Sequence, residues 1–237
     1  MLLSKACQDI SKNNKDILSV ILMGSRARGD FNENSDYDLM FITKRGKKYE
    51  LERNYENLIY KKTKIKNSID IHLWPINRFK EEYKKGNSFI YCALRDGKKL
   101  YFKLSLDLDL PSCKIAGKER INLAKENLNF LRFHLKFMEK KHRINKRFFG
   151  LELEELGYCA MHLCWAVCML NNFCPISKYT VLNESKKYFT KKEFEIIKRT
   201  YQFYSNPDFY RKTNRESFFK FFRALGKMIK RIDLESK

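Results

Sequence analysis

Three short pieces of the sequence carry residue types that could act together on a phosphate group. Gly24 and Ser25 directly follow an apolar segment, and ten residues separate Ser25 from the pair Asp36 and Asp38. Asp70 lies further along the chain, between two isoleucines. An Asp-x-Asp pair or a Gly-Ser pair alone carries little information, but the ordered set indicates a single site.

The spacing of the aspartates predicts a metal-binding face. Side chains two residues apart on a strand point the same way, so Asp36 and Asp38 would lie side by side. Asp70 would join them if its strand is a neighbour. Three adjacent carboxylates repel one another and need cations. Mg²⁺ prefers such oxygen ligands, and two Mg²⁺ ions roughly 4 Å apart can stabilise both oxygens of an in-line phosphoryl displacement. We therefore predict that Asp36 and Asp38 bind both ions and that Asp70 completes the site that activates an acceptor hydroxyl.

The residues around the glycine are typical of a triphosphate-binding segment. Gly24 would let the backbone approach a triphosphate, a following helix would direct free N–H groups at it, and Ser25 adds a hydroxyl. Arg26 and Arg28 could neutralise phosphate charge or could be ordinary solvated cations. Together with Ser35, these residues form the predicted nucleotide-binding set of the N-terminal half.

Apolar and alternating segments predict the elements that position these residues. Strands are expected over 17–23, 37–43 and 68–74, because each is rich in β-forming residues. Helices are expected over 50–60 and 77–85.

The sequence pattern changes near residues 107–118, where Pro111 and Gly117 lie. Long helices are predicted beyond it, and Thr190 and Glu193 have the spacing of a capping box. These helices cover 119–140, 150–171, 190–204 and 215–232. We therefore expect two domains, residues 1–112 with mixed strands and helices and residues 113–237 as an all-α bundle.

The composition is strongly basic, with a formal net charge of +21. Residues 113–237 have 27 basic and 13 acidic groups (net +14), and residues 1–112 have 22 and 15 (net +7). This balance suggests an anionic ligand, of which nucleic acid is one class. However, 34 of the 49 basic residues are lysine, and the abundance of Lys, Asn, Ile, Phe and Tyr is also what an AT-rich genome would produce.

Other features of the sequence predict a cytoplasmic protein that does not bind membranes. The N-terminal segment lacks the pattern of a signal peptide, and no apolar run reaches the roughly 18 residues needed to span a bilayer. The seven cysteines lack the spacing of a disulfide framework or a zinc site, which suggests buried thiols in a reducing compartment. The four histidines are scattered, so no histidine-based metal site is expected.

The segment GSRARGDFNENSDYDL (residues 24–39) resembles the Gly-Ser, spacer, Asp-x-Asp element of the DNA polymerase β-like nucleotidyltransferase superfamily. The segment IDI (residues 69–71) resembles that family's third-carboxylate strand, and GSRARG is especially similar to the minimal and antibiotic nucleotidyltransferases of bacteria. The resemblance implies a small mixed sheet flanked by helices, dependence on Mg²⁺ and a nucleoside triphosphate donor.

The helical half resembles the substrate domain of kanamycin-type nucleotidyltransferases in its pattern, chiefly over residues 157–187. That resemblance implies a glutamate general base, for which Glu126 is the matching position and Glu152, Glu154 and Glu155 are competitors. Lys178 is predicted to reach a phosphate. None of the histidines has the upstream arginine of a HEPN ribonuclease, which argues against that activity.

The leading hypothesis is an enzyme that transfers a nucleoside monophosphate, AMP from ATP, to a hydroxyl of a small molecule such as an antibiotic, with release of pyrophosphate. A modifier of tRNA or protein, similar to an antitoxin, is the second hypothesis, and basic charge favours RNA. A non-catalytic nucleotide-binding regulator is the third, although the presence of all three carboxylates argues against it.

Overall fold

The computed structural model describes residues 2–45, 49–65, 67–103, 109–110, 112–140, 149–175, 177–178, 180–205 and 215–236. The chain divides into two compact units, Met1–Pro111 and Ser112–Lys237. In the described part of the chain, no helix is both long enough and apolar enough to cross a lipid bilayer.

The described residues of the first unit form four strands and the helices that cover them. In chain order its elements are α1 (Leu2–Asn13), β1 (Ile17–Leu22), α2 (Gly24–Arg28), β2 (Tyr37–Thr43), α3 (Tyr49–Thr63), β3 (Ile69–Pro75), α4 (Ile76–Lys84), α5 (Ser88–Asp96) and β4 (Lys98–Phe102). The strands predicted from the sequence correspond to β1, β2 and β3, and the helices predicted over 50–60 and 77–85 correspond to α3 and α4.

The four strands form a mixed sheet in the order β3-β2-β1-β4. Strand β1 pairs antiparallel with β2 and β4, whereas β2 and β3 run parallel. A small mixed sheet with flanking helices is therefore confirmed. The parallel pair matters for the site, because it aligns the ends of β2 and β3 at one edge.

Apolar side chains project from both faces of this sheet into two hydrophobic cores. On one face, Val20, Leu39 and Ile71 pack in a core that includes Tyr55 and Ile59 of α3. On the other face a second core contains buried residues of β1, β2, α4 and α5, namely Ile21, Met40, Ile42, Phe79, Ile90 and Ala93. Burial on both sides explains why β1 and β2 are apolar over consecutive residues rather than at alternate ones.

The second unit is helical. Its elements are α6 (Cys113–Lys140), α7 (Phe149–Leu170), α8 (Val181–Ser185), a 3₁₀ turn (Lys186–Tyr188), α9 (Lys191–Ser205) and α10 (Arg215–Glu235). The four long helices predicted from the sequence correspond to α6, α7, α9 and α10. Residues 163–169 of α7 are all buried, which explains why that part of the helix is continuously apolar.

Close helix packing and a capping box support the second unit. A Cβ atom at Gly117 of α6 would lie 2.9 Å from the backbone nitrogen of Leu170, so only glycine permits this approach of α6 and α7.

At the start of α9, the Glu193 carboxylate accepts hydrogen bonds from the Thr190 backbone N–H (3.0 Å) and hydroxyl (2.9 Å). The Thr190 hydroxyl in turn accepts from the Glu193 N–H, which confirms the predicted capping box.

All seven cysteines are free thiols, and four of them are buried: Cys7, Cys159, Cys164 and Cys168. Burial raises the pKa of each of these four thiols to about 12. They fill interior space as small hydrophobic groups.

Candidate active site

The parallel pairing of β2 and β3 brings two of the predicted carboxylates together. Asp38 is the direct register partner of Asp70. Paired residues in a sheet project from the same face, and here that face is the one covered by α4 and α5. Asp38 is half-buried and Asp70 is exposed. Backbone hydrogen bonds fix the first residues of both strands. Met23 N–H donates to the Asp38 carbonyl, and Tyr37 N–H donates to the Ser68 carbonyl.

Gly24 lies directly against the Asp38 carboxylate. Its backbone has φ +67°, in the left-handed region, and a Cβ atom built there would lie 2.0 Å from Asp38 Oδ2. The left-handed backbone therefore favours glycine at the β1–α2 junction, and a side chain at this position would displace the Asp38 carboxylate. Ser25 follows in α2, a helix of five residues, so the predicted helix after the Gly-Ser pair is present but short.

A histidine joins the two carboxylates. Donor atoms of Asp38, Asp70 and His72 all lie within 4.8 Å of one another. His72 Nε2 is 3.3 Å from Asp70 Oδ2. The structure thus differs from the expectation that the histidines are irrelevant to a metal site. The signal for His72 was present in the sequence, because it lies two residues after Asp70 on a strand and so shares its face.

Asp36 occupies a different place from the other two aspartates. It is exposed and immediately precedes β2. Among the described residues, the group of donor atoms that could share one ion consists of Asp38, Asp70 and His72 and does not include Asp36. The assignment of Asp36 as a ligand of both ions stays a prediction.

Arg26 holds the loop that leads to these aspartates. Its guanidinium contacts the rings of both Phe31 and Tyr37, with Cζ 4.4 Å from each centroid. Its Nε and Nη2 atoms donate to the Ser35 carbonyl at 3.2 and 2.9 Å. The Ser35 hydroxyl accepts from the Asn32 N–H at 3.0 Å. In this arrangement Arg26 and Ser35 organise residues 31–37, a role that sequence reasoning missed.

Arg28, the other arginine of α2, forms an ion pair with Asp30 at 3.2 Å. The contact of Ser25, Arg26, Arg28 and Ser35 with a triphosphate stays a prediction, since none of these interactions tests it.

Comparison with known proteins agrees with this geometry. Residues 5–101 match the family model for "Polymerase beta, Nucleotidyltransferase". Residues 5–101 are a polymerase β-type nucleotidyltransferase domain. The whole chain shares its fold with spectinomycin adenyltransferase AAD(9) from Enterococcus faecialis, solved with ATP and spectinomycin. The two have a TM-score of 0.53 and 15% sequence identity, and the match covers 96% of each chain. No curated protein has a sequence that matches the chain.

The donor set of the nucleotidyltransferase domain fits a divalent cation. Carboxylates of Asp38 and Asp70 supply the oxygen ligands that Mg²⁺ prefers, and His72 adds a nitrogen donor at the same point. A cation bound there would neutralise adjacent negative charge and could share its remaining coordination positions with phosphate oxygens.

The residues predicted as candidate general bases lie in the helical unit. Glu126 lies on α6 with an exposed side chain. Its competitor Glu152 on α7 is 1% exposed, with one carboxylate oxygen 3.0 Å from His134 Nδ1. Burial raises the pKa of Glu152, and the nearby imidazole opposes part of that rise. Burial also raises the pKa of Glu155, with a contribution from Glu154.

Lys178 precedes α8 with an exposed side chain, and its backbone carbonyl accepts a hydrogen bond from the Tyr201 hydroxyl. The roles of Glu126 and Lys178 stay predictions.

A half-buried polar contact joins α6 to α7. Arg120 donates from Nη1 to His162 Nδ1 at 3.0 Å, and its guanidinium lies 5.0 Å from the Trp165 ring. Burial of the ring and the neighbouring guanidinium charge lower the pKa of His162 to about 3. The imidazole is therefore neutral at physiological pH and serves as a hydrogen-bond acceptor.

Proposed function

We propose that the protein is a divalent-metal-dependent nucleotidyltransferase that transfers AMP from ATP to a hydroxyl of a small molecule and releases pyrophosphate. The observation that carries this proposal is the register pair Asp38 and Asp70, held against Gly24 in a polymerase β-type nucleotidyltransferase domain. A pair of metal ions, Mg²⁺ in the first instance, would supply charge stabilisation for an in-line displacement at the α-phosphate.

The chain's own residues have distinct tasks in this proposal. Asp38 and Asp70 hold the cations, and Asp36 completes the second ion's site from the start of β2. Gly24 leaves room for the Asp38 carboxylate, so it fixes where that ligand lies. Arg26 positions the loop that carries Asp36 through its contacts with Phe31, Ser35 and Tyr37. Ser25 and Arg28 bind the triphosphate, as does Ser35.

An antibiotic is the acceptor class that we propose, because the fold is that of an enzyme solved with ATP and spectinomycin. Like charge argues against a polycationic aminoglycoside, since residues 113–237 have a net charge of +14 (27 basic and 13 acidic groups). A neutral or weakly charged polyol would experience less repulsion from this net charge.

Glu126 is our choice of general base for the acceptor hydroxyl. Its carboxylate is accessible, whereas Glu152 is buried beside His134. Lys178, also exposed, would contact a phosphate. Glu126→Gln should lower kcat by about 10²-fold or more if Glu126 accepts the proton. Glu195→Gln, which changes an exposed acid on α9, is the matched control. An unchanged kcat in Glu126→Gln would remove this assignment while leaving the nucleotidyltransferase proposal intact.

The proposal is tested by incubating the protein and Mg²⁺ with each of the four labelled nucleoside triphosphates and a panel of hydroxyl-bearing antibiotics. The expected result is a labelled adduct and stoichiometric pyrophosphate, with ATP preferred. Asp38→Asn should abolish both products, whereas Asp9→Asn on α1, which removes an exposed acid paired with Lys62, should not. Adduct formation that survives Asp38→Asn would refute the proposal.

The excess basic charge supports RNA as an alternative acceptor. Binding that depends on phosphate contacts falls steeply with salt, because each contact releases counterions. A salt titration with tRNA therefore separates the alternatives. Tight, salt-sensitive binding together with labelled tRNA would favour the RNA acceptor, whereas weak binding at physiological salt would eliminate it.

A further inference from the structure

His72 of β3 occupies a position that the roles assigned so far do not use. It lies two residues after Asp70 on the same face of the strand, and its Nε2 is 3.3 Å from Asp70 Oδ2. Donor atoms of Asp38, Asp70 and His72 lie within 4.8 Å of one another. Ligands adjacent on an octahedral ion with bonds of about 2.1 Å are about 3 Å apart, so the His72–Asp70 separation is close to that of neighbouring ligands.

The imidazole ring is held in this orientation by α5. The Phe89 ring meets His72 edge-on, with centroids 4.8 Å apart, and stacks on Trp74 at 6.0 Å. Phe89 is itself fixed at the start of α5, where its backbone N–H donates to Asn87 Oδ1 at 3.0 Å. The aromatic contacts therefore restrict the orientation of the ring, while Nε2 lies 3.3 Å from an Asp70 carboxylate oxygen.

An ordinary surface ion pair is the simpler interpretation of the Asp70–His72 contact. Such exposed pairs contribute only about 0–1 kcal/mol to stability. That interpretation does not account for Asp38, whose carboxylate is the third donor and is itself held against Gly24. Two carboxylates and an imidazole converging on one point are better explained as a ligand set.

We propose that His72 is a ligand of the divalent ion together with Asp38 and Asp70, and that it makes the site prefer a transition-metal ion such as Mn²⁺ over Mg²⁺. This inference rests on the proposed function. Mg²⁺ takes hard oxygen ligands, whereas imidazole nitrogen favours the later divalent metals. The imidazole therefore determines which metal is bound, and the two aspartates set the charge of the site.

The direct test is pulsed electron paramagnetic resonance of bound Mn²⁺, using untagged full-length protein with ¹⁵N-labelled histidine and no nucleotide. The wild-type spectrum should show hyperfine coupling to ¹⁵N, and His72→Asn should lose it. The other histidines, His134, His142 and His162, remain labelled in that variant, so they serve as an internal control. Absence of nitrogen coupling in the wild-type protein, or absence of Mn²⁺ binding, would overturn the proposal.

Titration of the two metals gives a second, independent readout. His72→Asn should weaken Mn²⁺ binding by about 10–100-fold and Mg²⁺ binding by much less. His72→Asp should retain metal binding with an all-oxygen ligand set, so that its preference for Mn²⁺ over Mg²⁺ falls. Equal loss of both affinities in His72→Asn would instead show that the histidine only positions Asp70, which would contradict the proposal.

These experiments distinguish failure of the His72 assignment from failure of the proposed nucleotidyltransferase function. Nitrogen coupling without nucleotidyl transfer to any acceptor would leave the ligand assignment standing and refute the enzyme. Transfer that depends on Asp38, with no nitrogen coupling, would refute the His72 assignment alone.

Discussion

Gly24→Ala tests whether the geometry of one carboxylate controls activity. The new Cβ atom would lie 2.0 Å from Asp38 Oδ2, and ordinary contact begins at 3.4 Å, so the carboxylate must move by about 1.4 Å. Misplacement of a catalytic group by about 1 Å can cost about 10²-fold in rate. We therefore expect kcat/KM for nucleotidyl transfer to fall by at least about 10²-fold and metal-dependent ATP binding to weaken.

The effect on stability should be small by comparison. A residue with a side chain at φ +67° costs about 1–2 kcal/mol relative to glycine, and the displaced carboxylate can relax toward solvent. Chemical denaturation should therefore show a folded protein with a free energy of unfolding reduced by about that amount. The two measurements together separate damage to the site from loss of the fold.

Gly29→Ala is the matched control. Gly29 also has a left-handed backbone, with φ +92°, but a Cβ atom there meets no atom within 4 Å. It should lose a similar free energy of unfolding and retain nearly all activity. If Gly24→Ala and Gly29→Ala lose activity equally, or if Gly24→Ala is as active as the wild type, the argument that Gly24 makes room for Asp38 is refuted.

Three further predictions follow from particular residues. Asp36→Asn and Asp38→Asn should each abolish transfer while circular dichroism shows an intact fold; near wild-type turnover in either would remove that residue from the metal site. Thr190→Ala should lower the free energy of unfolding by about 1 kcal/mol because the capping box is lost, with Thr190→Ser unaffected in the same denaturation experiment. The pKa of His162 is about 3 in the folded chain and near 6.5 in the unfolded chain. Between these two pH values the unfolded state binds one more proton than the folded state. The free energy of unfolding should therefore fall as the pH drops below about 6.5, by up to about 1.4 kcal/mol per pH unit. His162→Gln, which can still accept from Arg120, should flatten that dependence in denaturation curves measured between pH 4 and 7, and an unchanged slope would contradict the assignment.

The strongest sequence signals belong to elements buried on both sides. Strands β1 and β2 were predictable because each contains a continuous apolar run, which ends before Gly24 in β1 and begins after Asp38 in β2. Helix α7 was predictable because its sequence is almost continuously apolar. Strand β4 was not predicted, since its sequence KKLYF lies at the edge of the sheet with two exposed lysines and carries little hydrophobic pattern. The helices α1, α5 and α8 were also missed.

Local alternation predicts that Asp36 and Asp38 share one face of a strand, and their assignment as metal ligands stays a prediction. Asp38 and Asp70 meet because parallel strands pair in register, but the sequence alone could not show which strands are neighbours. The role of Arg26 depends on aromatic rings five and eleven residues later, which a loop conformation brings to it. The i+2 spacing of Asp70 and His72 is visible in the sequence, but the proximity of His72 to Asp38 depends on strand pairing, which the sequence does not show.

The distribution of buried thiols offers a way to observe the two units opening independently. Cys7 is in the first unit, whereas Cys159, Cys164 and Cys168 are in α7 of the second. Only the thiolate reacts with alkylating agents, and a pKa of about 12 in the folded state keeps these four protonated. Modification therefore requires local or global unfolding, so the labelling rate reports the free energy of that opening when reclosure is fast. Mass spectrometry of alkylated peptides would then give a separate opening free energy for each unit without any substitution in the sequence. A nucleotide that binds the first unit should slow the labelling of Cys7.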